Sequence, residues 1–178
     1  MKERSLVLVK PDGVSRGLIG EITSRFENAG LNIIGMKMIN ADSDILDKHY
    51  ELNEEWAKTI LERSKSAAKK EGRKFEYRDH MEFGSLIQGR LKDTLKEGPV
   101  TAIVFEGTHA VEIIRKMVGH TEPKQAAPGT IRGDFLLDSY ELADKEGRAI
   151  RNLVHASSSL KDAEREIKLW FKKGELVN

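Results

Sequence analysis

Apolar residues along the chain fall into short continuous runs, typical of buried strands, and into segments with helical spacing. Residues 5–9 form a Leu- and Val-rich run that predicts a strand ending before Pro11. Residues 18–29 repeat apolar side chains every three to four positions, which predicts a helix with Gly30 at its carboxyl cap. Residues 31–39 predict a second strand. The first part of the chain therefore reads as strand, helix, strand.

The rest of the chain alternates in the same way. The predicted elements are a short helix over 43–50, a longer helix over 54–70, a third strand over 100–105 and a helix over 110–117. Residues 124–134 lack periodicity and contain Pro and Gly, which predicts a long loop that exposes Thr130 and Arg132. Residues 140–150 are charged and predicted helical, before an apolar strand that carries His155.

Two strand-helix-strand units, residues 5–39 and 100–155, are compatible with a split βαβ, ferredoxin-like α+β sandwich. The length of 178 residues suits a single domain with one core. The spacing of the elements does not fix the order of the strands.

Composition narrows the function classes. Charged residues make up 33% and hydrophobic residues 39%, and the net charge of +1 gives no basic excess that would favour a nucleic-acid carrier. The absence of cysteine excludes disulfides and thiolate metal sites. No apolar run reaches membrane-spanning length, and the first strand begins too early to leave room for a signal peptide. We therefore expect a cytoplasmic protein without a membrane partner.

The most informative stretch is NLVHASSS, residues 152–159, which brings His155 to the start of a helix. Apolar side chains at helical spacing over 160–170 predict that helix, and Ser159 with Asp162 resembles a capping box. A neutral imidazole is a nucleophile when a neighbour holds one ring nitrogen and leaves the other free. Glu166 is a candidate for that neighbour, although its position also suits a solvated helix glutamate.

Devices for phosphate binding are limited to side chains. Neither a GxxxxGK[ST] loop nor a GxGxxG turn after a strand occurs in the sequence. Guanidinium groups offer paired donors that match phosphate oxygens, which makes Arg115 and Arg132 candidates alongside Lys10 and Thr121. Lys10 also fits a solvated strand edge. Basic and aromatic residues over 65–83 leave open contact with single-stranded nucleic acid, but a solvated helix and loop explain them more simply.

Four motifs, in this order along the chain, resemble the nucleoside diphosphate kinase family. They are KPDGVSRGLIGEI (10–22), AAPGTIRGDF (126–135), NLVHASSS (152–159) and DAEREI (162–167). The resemblance covers nearly all of residues 1–178 as a single domain, with insertions near 54–86 and 140–150. It implies a four-stranded antiparallel sheet covered by helices.

The resemblance also implies a reaction. His155 would attack the terminal phosphate of a nucleoside triphosphate, typically ATP, and pass the phosphoryl group to a nucleoside diphosphate in a ping-pong cycle. Glu166 would hold one imidazole nitrogen so that Nδ1 faces the phosphorus. The remaining roles implied are Lys10 and Asn152 on the sugar 3′-hydroxyl, Arg115, Thr121 and Arg132 on the phosphates, Tyr50 orienting Lys10, and Ser157 beside Glu166.

In the family, Mg²⁺ bridges phosphate oxygens with little help from protein ligands, and subunits assemble into hexamers or tetramers; we expect a hexamer. The base-stacking position aligns with Ile87, with Phe83 one turn earlier as the other candidate. Ser158 and His120 depart from the family pattern. Two other functions stay open: a phosphohistidine-based protein kinase or phosphocarrier, and a ferredoxin-like module that binds nucleic acid.

Overall fold

The computed structural model describes residues 2–70 and 72–177. The strands in these residues are β1 (Lys2–Val9), β2 (Asn32–Ile39), β3 (Val100–Thr108) and β4 (Val154–Ala156). They form one antiparallel sheet in the order β2-β3-β1-β4. The structure confirms the predicted four-stranded antiparallel sheet, and it places β4, which carries His155, at one edge.

Helices cover both faces of the sheet. They are α1 (Pro11–Ser15), α2 (Ile19–Asn28), α3 (Ser43–His49), α4 (Glu54–Lys70), α5 (His80–Lys96), α6 (Ala110–Val118), α7 (Ile131–Phe135), α8 (Tyr140–Lys145) and α9 (Leu160–Trp170). Among the described residues, none of these helices has both the length and the apolar content needed to cross a bilayer.

Two predictions about the segments between strands were wrong. Residues 124–134 were expected to form a loop without structure, but they contain part of the 3-10 turn Pro123–Gln125 and begin α7. The Thr130 hydroxyl starts α7 by accepting a hydrogen bond from the Gly133 amide at 3.1 Å. The helix expected over 140–150 ends at Lys145, because the chain turns at Gly147, whose φ is +66°.

The core lies on both faces of the central strands, which explains why β1 is continuously apolar rather than alternating. Val7 and Phe105 point toward α2 and α6, where they pack with Phe26 and Ile114. Leu6 and Leu8 belong to the other layer, with residues of α3, α5 and α9. Because both layers are full, groups that act on a ligand are confined to the ends and the free edge of the sheet.

Candidate active site

A cleft of about 620 Å³ opens where β1 ends and β4 forms the sheet edge. It collects side chains that are widely separated in the sequence. Eight of the predicted site residues line it: Lys10, Tyr50, Arg115, Thr121, Arg132, Asn152, His155 and Glu166. Ile87 and Ser157 do not.

His155 is the middle residue of β4 and pairs with Leu8 of β1. Its Nε2 lies 3.0 Å from Oε2 of Glu166, a buried residue on α9. A carboxylate only accepts hydrogen bonds, so Nε2 carries the ring proton and Nδ1 keeps its lone pair. Within the described part of the chain, no group is hydrogen-bonded to Nδ1. The site thus holds an imidazole in its nucleophilic tautomer, with 21% of the side chain exposed.

Glu166 stays ionised at neutral pH. Burial by itself would raise the pKa of this carboxyl, but the charge and hydrogen bond of His155 outweigh it and hold the pKa below its usual range. Ser157, which is buried beside it, donates its hydroxyl to Oε2 at 2.7 Å. Two donors therefore orient one oxygen of Glu166.

The helix that carries Glu166 begins as the sequence predicted. The Ser159 hydroxyl accepts from the Asp162 amide at 3.1 Å, which confirms the predicted cap. Ser158, a departure from the family pattern, donates to the Asp162 carboxylate and is exposed. The cap of α9 at Ser159 therefore forms even though position 158 departs from the family pattern.

His49 contributes a second imidazole that the sequence did not single out. It is buried, and its ring centroid lies 4.5 Å from that of His155, with the planes at 78°. The Trp170 indole donates to Nδ1 of His49 at 3.2 Å, so the ring proton of His49 sits on Nε2. Burial lowers the pKa of His49 well below its usual range. His155 thus lies between a carboxylate and a neutral ring.

Lys10 follows directly on β1 and is buried. Its Nζ donates to Oδ1 of Asn152 at 2.7 Å, and the Asn152 amide donates to the Thr121 carbonyl at 3.1 Å. Burial lowers the pKa of Lys10 to about 8, although the nearby Asp12 carboxylate acts in the opposite direction. A cation and an amide are therefore connected at the floor of the cleft.

The turn before β4 has an unusual backbone. Leu153 has a φ of +61°, a left-handed value that is strained for a branched side chain. Two hydrogen bonds hold it: its amide donates to Asp12 at 3.1 Å, and its carbonyl accepts from the Lys10 amide at 2.7 Å. Sequence reasoning missed the role of Asp12, because only the folded chain brings it to residue 153. This clamp sets the direction in which β4 presents His155.

Arg132 was expected on an exposed loop. It is instead buried on α7. Its guanidinium donates to the carbonyl oxygens of Asn152 at 3.1 Å, Gly119 at 3.0 Å and Val154 at 2.7 Å. The expectation was wrong because the segment folds into a capped helix that turns Arg132 inward. Burial lowers the pKa of Arg132 to about 10, so the group stays charged at neutral pH. Arg115, on α6, is exposed and reaches the same cleft.

Neither candidate for the base-stacking position lines the cleft in the described structure. Ile87 lies half-buried on α5, and Phe83 is buried against Phe75 and Tyr77, with ring centroids 5.3 and 4.8 Å away. Leu91, one turn further along α5, lines the cleft, as does Trp56 on α4. The helix α4, which alignment to the family pattern treats as an insertion, changes which residues the cleft presents.

His120, the other departure from the family pattern, is exposed beside Thr121. Its Nδ1 accepts a hydrogen bond from the Glu122 amide at 3.1 Å. This contact closes the turn that follows α6, so the ring has a local structural partner.

Comparison with known proteins identifies the same family from independent sources. A family model described as "Nucleoside diphosphate kinase" matches residues 3–61 and 60–176. A nucleoside diphosphate kinase of Pyrobaculum aerophilum is 44% identical over 98% of this chain and 98% of its own length. A crystal structure of an NDP kinase from that organism covers 100% of both chains with a TM-score of 0.95 and 42% identity.

A second solved structure, the nucleoside-diphosphate kinase of Borrelia burgdorferi, is described as a transition-state mimic with bound vanadate and ADP. It is 37% identical, covers 99% of this chain and 91% of its own, and has a TM-score of 0.81.

Proposed function

Because this chain belongs to the nucleoside diphosphate kinase family, we propose that its catalytic cycle runs through a phosphohistidine on His155. The chain is a phosphotransferase that moves the terminal phosphate of a nucleoside triphosphate, typically ATP, to a nucleoside diphosphate. One observation carries the proposed route. The bond from Nε2 to Glu166 leaves the Nδ1 lone pair of His155 without a partner among the described residues of the cleft.

The cycle has two half-reactions. In the first, the Nδ1 lone pair attacks the terminal phosphorus, an N–P bond forms, and the bond to the bridging oxygen breaks to release the nucleoside diphosphate. In the second, a terminal phosphate oxygen of another diphosphate attacks the same phosphorus and the N–P bond breaks. The Nε2 proton stays on the ring throughout, and Glu166 offsets the positive charge that the phosphorylated ring carries.

The cations around His155 bind and orient the phosphates. Lys10 and Asn152, already hydrogen-bonded to each other, hold the sugar 3′-hydroxyl, and Tyr50 orients Lys10. Arg132 has five N–H donors, of which three bind carbonyls, so the remaining two are available to phosphate oxygens. Arg115 and Thr121 complete the phosphate contacts. Phosphoryl transfer depends mainly on such positioning and charge neutralisation.

Mg²⁺ enters the cycle as part of the nucleotide substrate. In the described residues, the group near the cleft that could hold a metal is His49, His155 and Glu166. Mg²⁺ prefers oxygen ligands and keeps several waters, whereas this group is rich in nitrogen, and its carboxylate is bonded to His155 and Ser157. The donor set does not fit a resident Mg²⁺. The ion therefore binds some of the phosphate oxygens, and the cationic side chains named above bind the remaining ones.

We also propose a cytoplasmic homo-oligomer, a hexamer rather than a tetramer, as the family resemblance implies. Met36 and Met38 on the edge strand β2 are 47% and 54% exposed, which supports a contact between subunits at this surface. Light scattering of the purified protein distinguishes six subunits from four.

Labelling with γ-³²P-ATP and Mg²⁺ tests the proposed route. We expect an acid-labile, alkali-stable phosphoprotein whose label passes to added GDP. His155→Ala should take up no label, whereas the matched control His109→Asn, at an exposed histidine outside the cleft, should behave as wild type. Label that passes to proteins but not to GDP would favour the protein kinase or phosphocarrier. His155→Ala protein that still equilibrates ATP with GDP would exclude the route through His155.

A further inference from the structure

One side of the cleft is formed by α4. Four side chains, which we call the α4 wall, line it at helical spacing: Glu55, Trp56, Thr59 and Arg63. The opposite face of the helix is buried through Ala57, Leu61 and Ala68. The orientation of α4 is therefore set by its packing, and the α4 wall is what that packing leaves facing the cleft.

The packing between α4 and α5 is close enough to fix this orientation. A Cβ added at Gly84 of α5 would lie 2.8 Å from the Cβ of Ala57, shorter than real contacts of this kind. The far end of the insertion is held as well, because Arg73 and Arg90 each lie 3.3 Å from the Asp144 carboxylate on α8. Asp144 belongs to the second predicted insertion, so its pair with Arg73 brings the two insertions into contact.

The family model matches the chain in two parts, which meet at residues 60–61 inside α4. The α4 wall is therefore divided between the two matched parts. At the same time, the family's base-stacking position, Ile87, is not among the residues that line the cleft in the described structure. A flat apolar surface for a base has to come from elsewhere.

Trp56 is the aromatic residue of the α4 wall. It is partly exposed and lines the same cleft as His155, and Leu91 of α5 adds an apolar side chain to that lining. An indole ring offers a large π face on which any nucleobase can stack, and a bicyclic purine covers more of it than a pyrimidine does. The phosphate-binding groups lie on other elements, so a nucleotide in the cleft can contact both at once.

We propose that Trp56 supplies the stacking face for the nucleobase and gives this chain a preference for purine over pyrimidine nucleotides. The inference rests on the proposed function, since it requires a nucleotide whose phosphates are held at His155. It assigns to the first insertion a role in substrate selection.

The test separates base recognition from chemistry by forming the phosphoenzyme without a base. Phosphoramidate serves as donor: Nδ1 of His155 attacks its phosphorus, the P–N bond breaks and ammonia leaves. The phosphoenzyme is then discharged with GDP or CDP in a stopped-flow instrument. The proteins compared are wild type, Trp56→Leu, Trp56→Phe and the control Glu62→Gln, which changes an exposed residue of α4 that does not line the cleft.

We expect Trp56→Leu to lower kcat/KM for GDP about 10-fold and for CDP by less, so that the GDP/CDP ratio falls toward one. Trp56→Phe should be intermediate and Glu62→Gln close to wild type. Phosphoenzyme formation from phosphoramidate should be unchanged in all of them. An unchanged GDP/CDP ratio in Trp56→Leu would overturn the inference, whereas wild-type protein that forms no phosphoenzyme from phosphoramidate or ATP would instead overturn the proposed function.

Fluorescence provides a second readout, whose first part uses the wild-type protein alone. GDP added to unphosphorylated wild-type protein should quench indole emission more strongly than CDP does at saturation. Trp56→Leu, which retains Trp170, should lose most of that difference. Emission that is equally unaffected by both nucleotides, at concentrations shown to bind, would contradict stacking on Trp56.

Discussion

The sheet side of the cleft, formed by Lys10, Arg132, Asn152 and His155, differs from the α4 wall in how its side chains are held. Lys10, Asn152 and Arg132 are buried and hydrogen-bonded to other segments of the chain. On the α4 wall, Glu55, Thr59 and Arg63 are exposed and Trp56 is partly exposed.

This difference separates two tasks. Groups that stabilise a transition state are most effective when their orientation is fixed before the substrate binds. Groups that select among bases need only present a surface of suitable shape. The sheet side therefore suits the chemistry that all nucleotides share, and the α4 wall suits the part in which they differ. Substitutions on the sheet side should affect stability and phosphoenzyme formation, whereas those on the α4 wall should affect the GDP/CDP ratio.

The largest effect is expected at Arg132. In Arg132→Lys, a single ammonium cannot reach three carbonyl groups in separate directions, so at least one loses its donor. We expect the free energy of unfolding to fall by about 3 kcal/mol, together with a large loss of phosphoenzyme formation. Urea denaturation and single-turnover labelling measure the two.

Arg115→Lys is the matched control, since Arg115 is exposed in the same cleft. It should leave the free energy of unfolding within about 0.5 kcal/mol of wild type, because surface substitutions rarely exceed this. Equal stability losses in the two variants would remove the distinction between a fixed and a free arginine.

The second prediction concerns the pH dependence of the sheet side. Because the pKa of Lys10 is lowered to about 8 in the folded protein, its charge is lost as the pH rises through that value. The second-order rate constant for phosphoenzyme formation by free enzyme should then fall by up to about tenfold per pH unit above pH 8. In Lys10→Met the rate should be low, and this alkaline limb should be absent.

The contribution of Lys10 to the free energy of unfolding changes with pH in the opposite direction to the rate. Between pH 8 and 10.5 the native state releases the Lys10 proton before the unfolded chain does, so Lys10 destabilises the fold less as the pH rises in this window.

A wild-type rate profile without a limb near pH 8, or with a limb that Lys10→Met retains, would exclude Lys10 as the group that titrates.

The smallest effect is expected at the ion pairs of Asp144, of which the one to Arg73 connects the two insertions. Asp144→Asn removes the charge that Arg73 and Arg90 share, but the Asp144 side chain is 55% exposed, so the cost should be below about 1 kcal/mol. If these pairs hold the α4 wall, the GDP/CDP ratio should fall slightly while labelling of His155 is unchanged. A large loss of labelling would show that the α4 side takes part in the chemistry.

Local signals in the sequence predicted much of the frame. The apolar run of β1, the periodicity of α4 and the cap formed by Ser159 depend on neighbours within one or two turns. Predicting the antiparallel sheet and the set of site residues needed the family motifs, since spacing alone does not bring Lys10 to Asn152.

Long-range packing accounts for what the sequence did not predict. The environment of Arg132 depends on carbonyls at 119, 152 and 154, which only the folded chain brings together. His49 was overlooked because its partner Trp170 is 121 residues away. The left-handed backbone of Leu153 depends on Asp12, 141 residues earlier.

The three carbonyl bonds of Arg132 bear on how such an enzyme can adapt. Arg132 holds the turn before His155 through these bonds, and we propose that its two remaining donors bind phosphate, so a substitution there should affect folding and turnover together. Few substitutions at position 132 should therefore preserve both properties. Substitutions at Arg115 and on the α4 wall change side chains that line the cleft and leave these three bonds in place.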